Sequence, residues 1–419
     1  MAPTRSSKVV RLISTGWTTL EKSVKSPVEL MEEALLSATS AIGVQIKDIG
    51  GLIAVPSLAD PHFMEAHYVA SHIGMLPAKN VVVRTVDTGG AGPITALLAA
   101  KRMVESEGVD CVAVVAGDAV RQLSGEEFLR RADQTCWHPN SGLSSPVIPS
   151  GYDRVANYQM KNFGVTREEL AACSAVMSIM ASQHPMALTK TPRSIEDVLA
   201  SPPVASVTNL LECARRADGG AALLVASARF MERKGIPTGT GAVIIGGGEA
   251  SGPLYPPALE DIDEDMFSCE QGTAVLTQIA LKRYVATLQA YEEANISVRD
   301  IDFFGLYDCY PVCLIRAVEA VGLAPQGFGG RYMLEKYFEL KQRKHKRVQD
   351  ILPINTHGGL LAFGAPWEVP AMYNVIEAFH QITNCAGNRQ IPNVRRALVY
   401  GNGGIFSHSA VAILGNGTY

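Results

Sequence analysis

Short apolar runs of strand length alternate with helical patterns along the chain, and this alternation limits the fold more than any other feature. The runs are rich in Val, Ile, Leu and Ala, and they lie at residues 110–118, 221–227, 241–247, 300–308 and 396–404. Continuous apolar runs between helices are typical of strands that are covered on both faces, as in parallel sheets. We therefore predict an α/β fold with buried parallel strands.

The chain also repeats itself weakly. Residues 44–55 (VQIKDIGGLIAV) and 296–307 (ISVRDIDFFGLY) both follow a helical segment and share an apolar, polar, apolar, basic, Asp, Ile order before a strand. In each case a glycine turn, a helix and a further strand follow, which indicates two copies of one α/β unit. We expect an N-terminal half at 1–265 and a C-terminal half at 266–419. More polar, mostly helical residues at about 120–217 interrupt the first half and predict an inserted loop domain.

Composition excludes several classes of protein. The chain has 419 residues, 37 Lys and Arg against 41 Asp and Glu, and a net charge of −4, which gives no reason to expect nucleic acid as a partner. Apolar runs stay below the roughly 18 residues of a membrane span. Eight cysteines are too sparse for a disulfide scaffold, and metal spacings such as CxxC are missing, so we expect reduced thiols and no metal.

Two basic segments have two interpretations each. The first 20 residues carry Arg5, Lys8 and Arg11 with no acid before Glu21, which resembles a mitochondrial presequence. The same stretch also contains KVVRLIST, which fits a first strand, and the two readings are compatible. We expect a mitochondrial location, with the cytoplasm as the alternative. The run KQRKHKR (341–347) is expected to be a solvated segment or, alternatively, to bind ligand phosphates.

Three glycine-rich turns follow strands or open helices. They are GGAG (89–92), which leads through Pro93 into a helix, HGG (357–359) and GNGG (401–404). These turns and GGGEASG (246–252) lack the patterns of dinucleotide and P-loop sites, so NAD or ATP binding has little support. Two interpretations remain: the backbone N–H groups converge on a small anionic oxygen, or the glycines serve tight turns and close packing.

The richest polar spot is LYDCYPVC (306–313), at the end of a strand predicted to be buried. Ligands bind at strand ends in parallel α/β sheets. Tyr307 can donate a proton or hydrogen bond, Asp308 can orient a neighbour, and Cys309 is a nucleophile if its pKa is lowered. The alternative is that Cys309 and Cys313 are buried small hydrophobes and that Asp308 caps the next helix.

Two histidines lie in or beside the glycine turns. His357 is part of NTHGG, and His408 lies in IFSHSA. A neutral imidazole at such a place can polarise a carbonyl group, while a structural role is the alternative.

These turns in this order resemble the thiolase superfamily, in particular its sterol carrier protein-2 thiolase-like branch. Residues 152–171 and 194–227 are similar to loop-domain and strand sequences of that branch. LYDCY resembles its His-Asp-Cys-Phe loop with Tyr307 for the histidine, a variant close to the trypanosomatid thiolase-like group and to thiolase-like steroid side-chain aldolases. Residues 355–366 resemble the Asn-x-x-Gly-Gly…Gly-His-Pro segment, and GNGG resembles the Cys-x-Gly loop.

The resemblance implies a thiolase fold: two similar halves stacked as αβαβα layers with an inserted helical loop domain. It also implies a homodimer that binds CoA thioesters through the loop domain, with no bound cofactor and with the CoA thioester as substrate. Gly246 and Gly247 are our candidates for contact with CoA.

The departures from the family pattern decide the expected function. The alignment puts Gly89 at the acylated cysteine, Ala365 at the histidine of Gly-His-Pro, and Asn402 at the second cysteine. Acyl transfer needs an activated nucleophile and a base, so we expect no ordinary thiolase activity.

The loss of these side chains does not remove the backbone N–H groups of the glycine turns. We expect N–H groups near Gly89, Gly90, Gly403 and Gly404 to form an oxyanion hole for a thioester oxygen, which supports chemistry through an enolate. Slow decarboxylation of malonyl-CoA is the leading expectation, with malonyl-CoA or acetoacetyl-CoA as ligand. Tyr307 is the preferred proton donor. Asp308, Cys309 and Asn402 complete the candidate catalytic set, with His357 and His408 as partners of a carbonyl or carboxylate group.

Three alternatives remain open. One is a retro-aldolase that acts on a β-hydroxyacyl-CoA together with a small OB-fold partner. Another is a non-catalytic acyl-CoA-binding protein on the same scaffold. The last keeps acyl transfer, with Cys309 as a substitute nucleophile.

Overall fold

The computed structural model describes residues 9–252 and 285–417. The strands in these ranges are β1 (Val10–Trp17), β2 (Gly51–Ala54), β3 (Val82–Thr85), β4 (Cys111–Ala119), β5 (Asp218–Ser227), β6 (Ala242–Ser251), β7 (Phe303–Leu306), β8 (Arg396–Gly403) and β9 (His408–Gly415). The first-half helices are α1 (Pro27–Ser40), α2 (Glu65–His72), α3 (Gly92–Ser106), α4 (Gly125–Cys136), α5 (Val147–Phe163), α6 (Arg167–Ala181), α7 (Ile195–Leu199) and α8 (Ala228–Lys234). Those that follow are α9 (Val285–Ala294), α10 (Pro311–Ala320), α11 (Gly329–Gln342), α12 (Val348–Ile351) and α13 (Pro370–Ile382).

The described strands form one sheet in the order β3-β2-β4-β5-β1-β6-β9-β8-β7. Strands β1 to β5 lie in the first half and β7 to β9 in the second. β6 (residues 242–251) precedes the expected boundary at 265/266 but pairs along its length with β9, and a short pairing of β1 with β6 joins the two groups. The apolar runs are strands, as predicted, but their expected direction is only partly right. β2 runs parallel to β3 and β4, and β7 runs parallel to β8, whereas β5, β6 and β9 pair antiparallel with their neighbours.

The reason for this difference is burial. Every residue of β4 is buried, because helices cover both faces of the sheet. A continuous apolar run therefore indicates that both faces of a strand are covered, but it does not indicate the direction of the strand.

The weak repeat corresponds to a structural repeat. Both copies of the shared motif form a single 3₁₀ turn, at Ile46–Asp48 and at Val298–Asp300, immediately before β2 and β7. In each copy the aspartate accepts a hydrogen bond from the backbone N–H three residues earlier, at 3.0 Å for Asp48 and 2.9 Å for Asp300. The series β2-β4-β5 and β7-β8-β9 then share the same sequence of parallel and antiparallel pairings. The chain thus contains two similar halves.

Two helices lie between the halves. α3 contacts β2, β4 and β5 of the first half and β8 and β9 of the second, and α13 packs against α3, β7 and β8. α1 and α2 cover the other face of the first half, and α9 covers β6 and β9. Both central helices start from the segments that hold the predicted glycine turns, so the fold brings those turns to the interface of the two halves.

Residues 120–217 contain α4 to α7 and lie between β4 and β5, where the helical insertion was predicted. The basic tail at residues 1–8 and the expected boundary between residues 265 and 266 lie outside the described residues. No helix in the part of the chain that the structure describes is long and apolar enough to cross a membrane.

Candidate active site at the glycine turns

The first glycine turn lies directly against the last one. Gly89 has φ +60°, and its carbonyl oxygen accepts a 2.7 Å hydrogen bond from the N–H of Gly92, which begins α3. A Cβ on Gly89 would lie 2.8 Å from the nitrogen of Gly404, and one on Gly403 would lie 1.8 Å from the carbonyl oxygen of Thr88. The two turns can approach this closely only because these positions carry no side chain.

Tyr307 fills the space beside Gly90. A Cβ on Gly90 would lie 2.0 Å from the Tyr307 hydroxyl oxygen and 2.6 Å from the carbonyl oxygen of Asn402. The N–H of Tyr307 donates to the carbonyl oxygen of Tyr400 at 3.1 Å, which continues the pairing of β7 with β8 and aims the ring at the turn. Burial raises the pKa of Tyr307 well above its ordinary value, and the neighbouring Cys309 raises it further. The side chain is therefore a neutral hydrogen-bond donor at neutral pH.

This geometry corrects the expected position of the lost nucleophile. The alignment chose Gly89, but a side chain there would point at the backbone of Gly403 and Gly404. A side chain on Gly90 would point at Tyr307 and Asn402. Gly90 is thus the position that faces the candidate catalytic groups, and the Tyr307 hydroxyl occupies the place a nucleophile would need.

Asn402 is held by a residue of the insertion. Its side-chain nitrogen donates to the Tyr152 hydroxyl at 3.0 Å, and that hydroxyl donates to the carbonyl oxygen of Gly404 at 2.5 Å. The Tyr152 ring stacks on Tyr310, with 4.7 Å between centroids. The buried side-chain oxygen of Asn402 has no hydrogen-bond partner within residues 9–252 and 285–417. Tyr152 was missed at the sequence level, although it lies in the segment that resembles the loop domain, because no local pattern shows that α5 reaches the last turn.

His408 joins a polar chain that leads to the first turn. Its Nδ1 is 2.8 Å from the Ser251 hydroxyl and its Nε2 is 3.3 Å from the Thr95 hydroxyl, which accepts from Thr88 at 3.1 Å. Glu249 Oε1 lies 3.7 Å from Nε2. Burial raises the pKa of Glu249, but hydrogen bonds from His408 and Arg102 outweigh this effect, so the pKa lies below its ordinary value. The carboxylate therefore stays ionised. His408 therefore approaches the turn through Thr95.

Asp308 orients a backbone turn. Its carboxylate accepts the N–H of Leu360 at 2.7 Å and lies against Gly359, the first residue of the π-helical turn Gly359–Phe363. Burial raises the pKa of Asp308 to about 7, and the hydrogen bonds oppose this rise. The idea that Asp308 caps the next helix is wrong, because its partners belong to the segment after His357. That segment is in turn fixed to the end of β7 by this carboxylate.

Cys309 lies close to the site without an established role. Its sulfur is 3.5 Å from that of Cys313, and the thiol is half-buried. Burial raises the pKa of Cys313 well above its ordinary value, which fits a buried small hydrophobe. A nucleophilic role for Cys309 stays a prediction.

His357 points into a separate cluster. Its ring packs edge-on against Phe363 at 5.1 Å, near the buried ion pair of Arg389 and Glu377. Burial lowers the pKa of His357 to about 4, so the ring is neutral as expected. The structure does not bring His357 to Tyr307. The glycines that flank this histidine turn the chain so that position 357 faces the core, which a motif cannot reveal.

Gly246 and Gly247 lie inside β6. A Cβ on Gly246 would meet the backbone of Ala290 at 2.3 Å, and one on Gly247 would meet Leu98 at 2.4 Å. Close packing of α9 and α3 therefore explains both glycines, and their contact with CoA stays an untested prediction.

A cavity of about 580 Å³ opens beside the first turn. Its lining includes Asp87, which precedes the turn, and Glu368, which sequence reasoning missed. Glu368 Oε2 lies 3.8 Å from the place a Cβ on Gly92 would take. No group of His, Cys, Asp and Glu in the described ranges could hold a metal ion.

Comparisons with known proteins support the resemblance. The profile of the thiolase C-terminal domain-like family matches residues 269–416. An acetyl-CoA acetyltransferase of Methanothermobacter thermautotrophicus is 25% identical over 390 residues, which span 92% of this chain and 93% of that protein. Sterol carrier protein 2 of Bos taurus is 25% identical over 62% of this chain, and the match spans 45% of that longer protein. The solved structure of the Ltp2-ChsH2(DUF35) aldolase superposes with a TM-score of 0.76 at 22% identity, over 98% of each chain.

Proposed function

Because this chain is a thiolase-like, CoA-related protein of the thiolase superfamily, we propose that it is a CoA-thioester enzyme that forms an enolate without covalent acylation. The observation that carries the proposal is the Tyr307 hydroxyl at Gly90. This hydroxyl group occupies the position that a nucleophile would need, and it is a hydrogen-bond donor.

Acyl transfer through a covalent intermediate lacks its reactive groups here. Gly90 has no side chain, Ala365 is apolar, and the Asn402 amide neither ionises nor attacks a thioester. Restoring a side chain at position 90 would also require Tyr307 to move.

Enolate chemistry needs less from the side chains. A thioester oxygen at the first glycine turn would meet the N–H groups of the residues just before α3, with the neutral Tyr307 hydroxyl beside them. The N–H of Gly92 is already donated to Gly89, and Pro93 has none. Each such donor to a developing oxyanion contributes about 3–4 kcal/mol.

Malonyl-CoA offers the simplest reaction of this kind. The bond between the α-carbon and the carboxylate carbon breaks, CO₂ leaves, and the electron pair becomes the enolate. The α-carbon then takes up a proton, which gives acetyl-CoA. The protein has to bind the thioester and to stabilise the enolate oxygen.

The test compares binding with turnover. We expect calorimetry to detect the binding of malonyl-CoA or acetoacetyl-CoA. We also expect a slow release of CO₂ from malonyl-CoA. The Tyr307→Phe variant should keep binding and lose turnover by about 10²–10³-fold, as for one oxyanion donor. Tyr373→Phe is the matched control, because that buried hydroxyl has no partner among the described residues and lies away from the turns. No affinity for any acyl-CoA up to millimolar concentration would refute the proposal.

Retro-aldol cleavage is the second candidate, and the similarity to the Ltp2-ChsH2(DUF35) aldolase favours it. A β-hydroxyacyl-CoA would break between its α- and β-carbons and form the same enolate. Release of an aldehyde or ketone from such a thioester, alone or with a small OB-fold partner, would support this reaction over decarboxylation.

Homodimer formation and a mitochondrial location complete the proposal. β3 lies at the edge of the sheet, where an unpaired strand edge is able to pair with a second chain. Sedimentation velocity at micromolar concentration tests the dimer, and fractionation of cells tests the location.

A further inference from the structure

Glu368 lies in an unusual backbone segment next to the first glycine turn. The preceding residue, Trp367, has φ +47°, which bulky side chains rarely adopt and which costs on the order of 1 kcal/mol. Its ring packs edge-on against Phe128 at 5.9 Å and contacts the small cluster around Leu58 and Val120. Packing therefore holds Trp367 in this conformation and fixes the direction in which Glu368 leaves the chain.

The Glu368 carboxyl group is aimed at the start of α3. Its Oε2 is buried, has no hydrogen-bond partner in the described part of the chain, and lies beside Gly92. Burial raises the pKa of Glu368 well above its ordinary value, and the carboxylates of Asp87 and Asp118 raise it further. The Tyr307 hydroxyl lies beside Gly90 and Glu368 Oε2 lies beside Gly92, so both groups flank the same turn. Burial therefore favours the protonated form of the Glu368 carboxyl group.

The cavity beside Glu368 is lined by both acidic and basic side chains. Its acidic lining residues are Asp60, Asp87 and Glu368. Of the two lining arginines, Arg130 binds Glu127 through two nitrogens, and Arg131 binds Glu127 and the carbonyl oxygens of residues 58 and 59. Both cations therefore already bind carboxylate or carbonyl oxygens of the protein.

We propose that Glu368 is a catalytic acid, which gives its proton to the α-carbon of the enolate while the cavity takes up the acyl group beyond the thioester. This inference rests on the proposed function and assigns a residue to its last step. The enolate electron pair forms the new C–H bond, the O–H bond of Glu368 breaks, and the resulting carboxylate takes a proton from water. Tyr307 keeps its hydrogen bond to the enolate oxygen throughout.

The two acids have different tasks because their strengths differ. An ordinary carboxyl group has a pKa near 4 and an ordinary tyrosine near 10, so the carboxyl group is intrinsically the stronger acid, and burial raises the pKa of both groups here. A carboxylic acid that stays neutral can protonate carbon, whereas a phenol of still higher pKa serves as a hydrogen-bond donor.

The experiment follows the reverse of this proton transfer. Purified protein is incubated with acetyl-CoA in D₂O, and NMR measures the exchange of α-protons, while calorimetry measures binding to the same protein. We expect Glu368→Gln to bind within about threefold of the wild type and to exchange at least 100-fold more slowly, as for a lost general acid–base group. Glu368→Asp should recover part of the rate.

A control and a second readout separate catalysis from folding. Glu65→Gln removes a fully buried carboxyl group from α2 and should leave exchange unchanged. Infrared difference spectra should show a protonated carboxyl band that responds to acetyl-CoA in the wild type and is missing in Glu368→Gln. Equal exchange in the wild type and Glu368→Gln would overturn this inference and leave the proposed function intact. Failure of the wild type to bind acetyl-CoA or to exchange its protons would overturn both.

Discussion

Replacing Gly90 by alanine should destabilise the fold by overpacking. The new Cβ would lie 2.0 Å from the hydroxyl oxygen and 2.4 Å from Cζ of Tyr307, and 2.6 Å from the carbonyl oxygen of Asn402. Ordinary contacts between such atoms are about 3.5–4 Å, so Tyr307 must move by more than 1 Å. Gly90 does not have a positive φ, so the backbone itself tolerates alanine. Overpacking of a well-filled site costs about 1–3 kcal/mol, and this clash against a buried ring predicts the upper end.

A double-mutant cycle isolates the contact. Tyr307→Ala alone should cost about 3–5 kcal/mol, because it leaves a void in the core. With the ring gone, the Asn402 carbonyl oxygen at 2.6 Å remains as a close contact of the new Cβ, so the added cost should fall to about 1 kcal/mol. The coupling energy between the two substitutions is then about 2 kcal/mol.

Urea unfolding of the wild type, both single variants and the double variant measures these quantities. Gly125→Ala is the control, because a Cβ there meets nothing within 4 Å, and its stability should stay within about 0.5 kcal/mol of the wild type. Additive effects, or a Gly90→Ala protein as stable as this control, would refute the reasoning. Tyr307 would then not fill the space of the lost nucleophile.

Three further predictions concern the core around the site. Asn355→Ala should cost about 2–4 kcal/mol in urea unfolding, because Asn355 makes two buried hydrogen bonds of 2.7 Å to the backbone of Leu306 at the end of β7. Arg389→Met should cost about 3–5 kcal/mol, because it leaves the buried Glu377 carboxylate without its cation, and the added change Glu377→Met should recover most of the loss. His357 has a pKa of about 4 in the fold against 6.5 ordinarily, so the unfolded chain binds more protons between these values. Its contribution of about 3 kcal/mol is present above pH 6.5 and lost as the pH falls to 4, and His357→Leu should flatten that part of the stability profile.

Sequence patterns predicted the fold well because they indicate which residues are buried and where the chain turns. The shared Asp-Ile motif reappears as two equivalent 3₁₀ turns before β2 and β7, because an aspartate at that spacing caps the turn wherever it occurs. The insertion was visible because its polar helical patterns interrupt the apolar runs. Strand direction was not visible, since covered parallel and antiparallel strands carry the same apolar residues.

The site was harder to predict because it depends on the direction of single side chains. The shift from Gly89 to Gly90 is one residue in sequence, but it turns a side chain from the backbone of Gly403 to the ring of Tyr307. His357 lies in a motif like its family counterpart and still faces the core. Glu368 carries no motif at all, and only its buried, unpaired oxygen distinguishes it.

Two unpaired polar atoms near the glycine turns are not accounted for by an inherited scaffold alone. Close packing of the two turns explains why Gly89 and Gly403 are glycines, whether or not the protein binds anything. It does not explain the Asn402 side-chain oxygen and Glu368 Oε2, both buried near the same turns and both without a hydrogen-bond partner among the described residues. An unsatisfied buried polar group costs about 1–3 kcal/mol, and an apolar side chain would remove that cost. A thioester and its acyl group between these atoms would supply the missing partners, so acyl-CoA should raise the melting temperature of the wild type.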